Sequence, residues 1–455
     1  MHQAPVSRTF PRSSEKTRRI RTLAVAIVGS LYAALPVAAL ETPDYGDIAP
    51  ILARHCASCH QPGDIAPMTL GSYEEVRPWA RAIARKVAAR EMPPWFADPE
   101  VGSFRNDARL EPSEIDRLVE WARAGAPRGE GPDSASVTVP PAPPDDRWRL
   151  GTPDLVVEMP EAFPVPAEGV VDYVYVRLPS GLAEPRWIRA IEVQPGAREV
   201  VHHIDVLACS AGCPEDEDFA ALEPGELSFL PGSPITERPR PRTDAGIDGD
   251  DIEFLTSFLP GGVPQELPDG HARLLPAGAD LVLNLHYTPS GTAVHDRSRV
   301  GLWFADAAPR QRVVSMFLDN FSIWIPAGEA SHRVTTRATL AQEARLLALT
   351  PHMHSRGRSA EVYLEPAEAS APRALLKVPR YDFNWQITYE LAEPLALQAG
   401  DTIRYELSWD NSEQNPHNPD PSRDVPWGRQ TSDEMASVFV TLAVPPEVEP
   451  SELFE

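Results

Sequence analysis

Cysteine is scarce in this chain, with four among 455 residues. Cys56 and Cys59 form one C-x-x-C pair, and the sequence has no second C-x-x-C that could complete a zinc site. The other two, Cys209 and Cys213, are close enough for a small disulfide loop in an oxidising compartment, with two free thiols as the alternative. The cysteine count therefore excludes a zinc site built from paired C-x-x-C motifs.

Positive charge and glycine are also in short supply. Lys and Arg number 42 against 66 Asp and Glu, which gives a formal net charge of -24. Because the cations beyond the first 40 residues are scattered among more numerous acids, the pattern argues against nucleic acid as a partner. The 50 prolines outnumber the 27 glycines, and this favours short strands, turns and stiff linkers over long helices.

Long apolar runs are missing except near the N-terminus. Arg18, Arg19 and Arg21 precede an apolar run over residues 23–40, and Val-Ala-Ala at 37–39 is a small-residue cleavage site. Residues 1–39 are therefore predicted to be a signal peptide that exports the protein to the periplasm. The alternative is an uncleaved anchor, because the run is about long enough to span a bilayer. Membrane association is expected only through this segment.

Residues 56–60 read Cys-Ala-Ser-Cys-His, the C-x-x-C-H pattern of covalent haem c attachment. The thiols of Cys56 and Cys59 would add to the haem vinyl groups, and His60 would ligate the iron. Covalent haem attachment in bacteria requires export, so the motif agrees with the signal peptide. The alternative is a thiol-disulfide enzyme, which predicts free thiols and no haem.

Residues 40–128 are predicted to form an all-α domain. A helix over 45–59 leads into the haem motif, and a second over 73–90 has apolar residues at helical spacing. A last helix opens at Glu111, with Ser113 as its N-cap, and runs to Ala124. This order resembles a small class I cytochrome c.

The distal haem ligand is predicted from the position of two methionines. Met92 lies in the loop between the last two helices, where such cytochromes place a thioether. Met68, close behind His60, is the alternative, and ordinary core packing is the alternative for both. The sequence favours Met92.

Residues 129–147 are rich in Pro, Gly, Ser and Asp, which predicts a semi-rigid linker. Beyond it, short runs of alternating apolar residues are punctuated by Pro and Gly, as in all-β sandwiches. The stretch is too long for one sandwich. Two are predicted, over 148–308 and 309–445, followed by a tail over 446–455.

Histidines occur in strand-like contexts that suit metal binding. His352 and His354, at i and i+2 of a strand, project to the same side. Vicinal His202 and His203 normally point apart, so joint ligation requires a bulge or a strand end. Three imidazoles in one half and two imidazoles plus a thioether in the other suit copper, although each histidine taken singly also fits a hydrogen-bonded structural role. The candidate ligands are His202, His203, His286, His352, His354 and Met435.

The blocks Val-Val-His-His, Leu-Asn-Leu-His-Tyr, His-Met-His and Thr-Ser-Asp-Glu-Met occur in the order and spacing of a known family. Over residues 150–445 the chain resembles the copper type II ascorbate-dependent monooxygenases, the family of peptidylglycine α-hydroxylating and dopamine β-monooxygenase. The resemblance implies two jelly-roll-like β-sandwiches that each hold one copper ion, facing each other across a solvent-filled gap.

The resemblance also implies a division of labour between the two ions. His202, His203 and His286 would hold the electron-transfer copper. His352, His354 and Met435 would hold the copper that activates O2, because a thioether favours Cu(I). A C–H bond of a small organic substrate would be hydroxylated with two electrons from outside, supplied by an ascorbate-like reductant or a redox protein. Here a haem would relay those electrons to the coppers. His271, His295, His332 and His417 match no ligand block.

Four positions depart from the family's pattern for recognising a substrate carboxylate. Thr350 replaces an Arg, Ser437 an Asn, Phe439 a Tyr and Asn284 a Gln. A peptide ending in glycine is therefore not expected as the substrate, and a more apolar or neutral small molecule is. The competing prediction is a non-catalytic periplasmic electron-transfer or copper-binding protein.

Overall fold

The computed structural model describes residues 42–129, 147–210, 213, 222–229, 235, 237–247, 252–368 and 370–455. The predicted signal peptide and most of the predicted linker lie outside these residues. Within the described ranges, no helix is long and apolar enough to cross a membrane.

The helices lie between residues 42 and 129. They are α1 (Tyr45–His55), α2 (Tyr73–Val76), α3 (Ala80–Ala88) and α4 (Pro112–Arg123). A 3-10 turn that contains Pro78 separates α2 from α3, so the helix predicted over 73–90 is broken. The N-cap of α4 is Glu111 rather than Ser113, and its backbone N–H donates to the carboxylate of Glu114 over 2.9 Å. Apolar faces of α1, α3 and α4 pack into a small core around Trp121.

The rest of the described chain is built from strands. They are β1 (Leu155–Glu158), β2 (Phe163–Val165), β3 (Val174–Pro179), β4 (Arg186–Gln194), β5 (Val201–Cys209), β6 (Leu227–Ser228), β7 (Gly246–Ile247), β8 (Ile252–Phe258), β9 (Gln265–Glu266), β10 (His271–Leu275), β11 (Asp280–Tyr287), β12 (Val294–Asp296), β13 (Arg299–Phe304), β14 (Gln311–Asp319), β15 (Trp324–Ile325), β16 (His332–Thr339), β17 (Ala344–His352), β18 (Gly357–Glu365), β19 (Arg373–Val378), β20 (Tyr389–Leu397), β21 (Thr402–Trp409), β22 (Val425–Pro426) and β23 (Ser437–Val444).

One long sheet runs through both halves of this β region. Its strands follow the order β1-β13-β4-β10-β14-β23-β17-β20, and β10 pairs with β14 in parallel across the predicted boundary between 148–308 and 309–445. A five-stranded sheet, β6-β3-β11-β5-β8, faces the first half, and a four-stranded sheet, β16-β21-β18-β19, faces the second. The two predicted β regions therefore share a continuous sheet.

The prediction of an all-α cytochrome c domain over 40–128 is wrong. The four helices have only 11, 4, 9 and 12 residues. Trp95, Phe96 and Phe104, between α3 and α4, are buried in the core of the second β half. Since these aromatic side chains complete a β-sheet core, the segment does not close a helical domain of its own, and Thr42–Glu455 forms one compact unit. The fold is predominantly β.

The alternation of β5 and β11 positions the candidate ligands. Ile204 and Leu285 point into the first core, between the long and the five-stranded sheets. His203 and His286 therefore lie on the opposite face of the five-stranded sheet. That face packs against the second half through Phe317 of β14 and other aromatic residues. The histidines thus meet at the junction of the two halves.

Candidate functional site

Three histidines converge on the outer face of the five-stranded sheet. His203 on β5 is directly opposite His286 on β11. One ring nitrogen from each of His202, His203 and His286 lies within 4.8 Å of the others, and the Nδ1 atoms of His202 and His203 are 3.1 Å apart. This three-histidine cluster can place all its imidazoles on one metal ion.

A β-bulge brings the vicinal histidines to the same side. His286 pairs with His203, but the next residue, Tyr287, pairs with Val201, so the register shifts and His202 is the extra residue. The bulge turns His202 out of the normal alternation. The bulge that joint ligation by the vicinal histidines requires is therefore present.

The chemistry of the three-histidine cluster fits a transition-metal ion. His203 Nε2 and His286 Nδ1 are buried and lack a hydrogen-bond partner within the described part of the chain. Burial lowers the pKa of His202 to about 4 and that of His286 to about 3. Burial, reinforced by the neighbouring imidazoles, holds the pKa of His203 well below its usual value. Neutral imidazoles with free ring nitrogens are the form that binds metal.

We expect the three-histidine cluster to retain its metal ion at about pH 5, where ordinary imidazoles are protonated. Protons should compete only near the depressed pKa values of about 4 and 3, not near 6.5. For the same reason the metal-free fold should lose stability as the pH falls below 6.5, because the unfolded histidines take up protons that the folded ones do not. Calorimetric titration with metal across this range checks the prediction, and an affinity loss centred near the ordinary value contradicts it.

Two histidines and a methionine form a second group. His352 ends β17 and His354 follows it; both are buried, and their ring centroids are 5.3 Å apart. A cavity of about 40 Å³ is lined by both histidines and by Met435, which lies just before β23. His354 Nε2 is buried and meets no hydrogen-bond partner among the residues described. Burial lowers the pKa of His352 to about 4 and that of His354 to about 3. This His-Met cluster also fits a metal ion.

The segment before Met435 positions His354. The carbonyl of Asp433 lies 3.1 Å from His354 Nδ1, so Nε2 is left for a metal. The backbone N–H groups of His354 and Arg356 each donate to the Glu434 carboxylate over 2.7 Å. Asp433 and Glu434 are not among the predicted site residues, although both belong to the Ser-Asp-Glu-Met block.

Aromatic side chains occupy the space between the two clusters. The ring centroid of Tyr173 is 5.1 Å from that of His286 and 5.9 Å from that of His354. The ring of Phe383 is 5.5 Å and 6.0 Å from the same two imidazoles. The solvent-filled gap that the resemblance implies is therefore replaced here by a layer of two aromatic rings.

The four positions that depart from the family's pattern have other partners. Thr350 Oγ1 lies 2.9 Å from Thr388 Oγ1, and Ser437 Oγ donates to Asp319. Phe439 stacks on His352 with a centroid distance of 5.2 Å. The amide of Asn284 donates to the hydroxyl of Tyr175 over 3.2 Å. These contacts supply no cationic group for a substrate carboxylate.

The C-x-x-C-H motif lies beside a mostly apolar cavity of about 210 Å³, whose lining includes Cys56, Cys59, His60 and Met92. His60 Nδ1 lies 3.2 Å from the carbonyl of Met68, which leaves Nε2 available to an iron atom. An oriented imidazole, two thiols and an apolar cavity fit a covalently bound haem.

The cavity distinguishes the two candidate distal ligands. Met92 lines it together with His60, whereas Met68 packs against the helical core and contributes its carbonyl to His60. His55, which is not among the predicted site residues, also lines the cavity. Of the two candidates, Met92 is the one on the cavity wall, and its role as a haem ligand stays a prediction.

The thiols do not have the character of a redox nucleophile. Burial raises the pKa of Cys56 to about 12 and that of Cys59 to about 11. Thiol-disulfide enzymes instead depress the pKa of the attacking thiol. A disulfide does join Cys209 to Cys213, as predicted, with a Cα–Cα distance of 4.9 Å.

The remaining histidines lie apart from both clusters. His271 Nδ1 is 3.4 Å from the carbonyl of Asp269, and the ring of His332 is 6.1 Å from that of Trp409. His295 lies on β12, and His417 donates its backbone N–H to Asn415. These contacts agree with structural or surface roles.

Comparison with known proteins identifies no family: no family model matches the chain, and no curated protein does. Among solved structures, PNGF-II shares 11% identity at a TM-score of 0.23, over 63% of this chain and 60% of its own. The VP2 subviral particle of infectious bursal disease virus shares 9% at 0.17, over 66% and 73%. Allantoicase shares 7% at 0.14, over 55% and 81%. Likenesses this weak indicate no family, so function has to be inferred from the residues of the sites.

Proposed function

We propose that the protein is an exported copper-dependent monooxygenase that carries a haem c at Cys56 and Cys59. It would hydroxylate a C–H bond of a small organic substrate with O2 at copper held by the two clusters, and a haem held by Cys56, Cys59 and His60 would supply the electrons. The observation that carries this proposal is the pair of unlike metal-binding clusters, one of three imidazoles and one with His352, His354 and Met435, on either side of Tyr173 and Phe383.

The two clusters suit different tasks. The three-histidine cluster presents neutral nitrogen donors, which support both oxidation states of copper and thus one-electron transfer. In the His-Met cluster the thioether of Met435 favours Cu(I), and copper bound there would supply the reduction of O2. Asp433 and Glu434 hold His354 in the orientation that leaves Nε2 for the ion.

The substrate is proposed to be small and neutral. Thr350 and Ser437 are engaged with buried partners, and Phe439 covers one face of His352. None of these three side chains supplies a cation for a substrate carboxylate; the cationic side chain that lines the cavity of the His-Met cluster is Arg429, whose guanidinium lies over the ring of Trp427.

A periplasmic copper-holding electron-transfer protein is the second candidate, favoured by the size of the cavity at the His-Met cluster. Its volume of about 40 Å³ accommodates a diatomic molecule beside His352 but not an organic substrate. Oxygen uptake with a reductant, measured with and without candidate substrates, separates the two functions.

Replacing Met435 by Ala is expected to lower oxygen consumption by about 100-fold or more while the three-histidine cluster keeps its copper. The reason is that the thioether is the only soft donor proposed for the oxygen site. Met316→Ala is the matched control, because Met316 and Met435 are both 6% exposed and Met316 lies on β14 as an ordinary core residue. Full oxygen chemistry in Met435→Ala would refute the assigned site.

A further inference from the structure

The cavity beside the C-x-x-C-H motif has a second wall that comes from the β region. One side is formed by Cys56, Cys59 and His60, and the other includes His202, Trp385 and Pro260. A group attached to the two thiols would therefore fill a space that ends at the three-histidine cluster.

The two walls are in close contact. In the haem-free chain the Cys59 thiol donates to the carbonyl of Pro260 over 3.3 Å; in a thioether to haem the sulfur carries no proton and this hydrogen bond is absent. Gly261 has a φ of +76°, and a Cβ added there would lie 2.3 Å from Cys59 Sγ. Only glycine fits this turn and this approach. The motif is thus held against the β region directly, without depending on the linker.

His202 belongs to both sites. It is a member of the three-histidine cluster, and it lines the cavity, whereas His203 and His286 are not among the described residues that line it. His202 is 7% exposed, so the imidazole shared by the cavity wall and the three-histidine cluster is largely shielded from solvent.

We propose that His202 is the route by which electrons pass from a haem c in this cavity to the metal ion of the three-histidine cluster. The inference rests on the proposed function and adds the path. One electron crosses the imidazole, a ferrous haem iron becomes ferric, and a cupric ion becomes cuprous. No bond is broken and no proton moves.

Trp385 is proposed to position the side of the cavity that comes from the β region and includes His202. It lines the same cavity as His202, and its loop, between β19 and β20, also places Phe383 against His286 and His354. Asp382 of the same loop raises the pKa of His202 in opposition to the larger effect of burial. The loop therefore ties the cavity wall to both clusters.

The first test uses Zn²⁺, which binds imidazoles without redox chemistry. In the haem-loaded full chain, Zn²⁺ in the three-histidine cluster should raise the haem midpoint potential, because a nearby cation disfavours ferric haem. The His203→Ala variant should bind Zn²⁺ poorly and show no shift. Bound Zn²⁺ without any shift in the wild type overturns the proposal.

The second test follows electron transfer without turnover. The haem of the copper-loaded chain is reduced anaerobically, and haem reoxidation and loss of the Cu(II) signal are recorded by stopped flow and rapid-freeze EPR. We expect a fast phase whose rate does not depend on protein concentration, and its loss in Trp385→Leu. Trp324→Leu, at a half-buried tryptophan outside the cavity, should keep it.

The outcomes separate the route from the function. If both tryptophan variants transfer electrons as fast as the wild type, the route through this wall is wrong and the monooxygenase proposal is untouched. If haem and copper are bound but hydroxylation fails, the proposed function falls while a Zn²⁺-dependent potential shift still supports the route. A chain that binds no haem when matured in a haem-c-competent host overturns both.

Discussion

His203→Ala is expected to lose the copper ion of the three-histidine cluster and keep the ion of the His-Met cluster. His203 is 1% exposed, and its ring centroid lies 5.4 Å from that of His202 and 5.0 Å from that of His286. Two imidazoles remain after the substitution, and we expect the affinity to fall by about 100-fold or more. Copper content after dialysis against a weak chelator measures the effect.

The matched control is His271→Ala, because His271 lies on β10 away from both clusters and contacts a backbone carbonyl. It should retain both ions. Unchanged copper content in His203→Ala would show that the cluster is a structural packing of histidines rather than a metal site.

Glu434→Ala should cost about 3–5 kcal/mol of folding free energy, because it breaks a buried ion pair. Glu434 and Arg356 are both fully buried. The Glu434 carboxylate accepts hydrogen bonds from the backbone N–H groups of His354 and Arg356 and from the indole of Trp409 over 3.1 Å. Without it, three donors and a guanidinium lose a buried partner. Urea denaturation of the metal-free protein at pH 8, above the raised pKa of Glu434, gives the change for the ionised carboxylate.

Glu434→Gln is the matched variant, since it keeps an acceptor oxygen and the side-chain volume. Burial raises the pKa of Glu434 from 4.5 to about 7. The native carboxyl therefore holds its proton more tightly than the unfolded one, and its favourable contribution is complete below 4.5 and lost as the pH rises through about 7. The free energy of unfolding of the wild type, relative to that of Glu434→Gln, should therefore decrease as the pH rises from 4.5 to about 7. A difference independent of pH would contradict the assignment.

The sequence alone predicts those features of the sites that depend on residues close together in the chain. The C-x-x-C-H motif, the Cys209–Cys213 pair and the need for a bulge at His202 all follow from short-range spacing. Because side chains alternate along a strand, vicinal histidines reach the same side only at a bulge or a strand end. The spacing of His202 and His203 therefore predicts such an irregularity if both bind one ion.

The all-α prediction is wrong because apolar residues at helical spacing predict a helix but do not predict which element the surrounding segment packs against. The helices form as short elements, yet Trp95 and Phe104 between them are buried against Tyr389 of the second β half, with centroid distances of 5.0 and 5.5 Å. Apolar residues in an irregular segment carry no periodic signal of where they will be buried.

The sequence by itself determined the donors: two thiols, their histidine, five further imidazoles and a thioether, in contexts that predict haem and copper. Only the tertiary structure decided their relations, namely the aromatic layer of Tyr173 and Phe383 and the position of His202 in both the three-histidine cluster and the wall of the cavity at the C-x-x-C-H motif. The physical reason is that these contacts join residues far apart in the chain. Their proximity results from the packing of whole sheets, which no local pattern encodes.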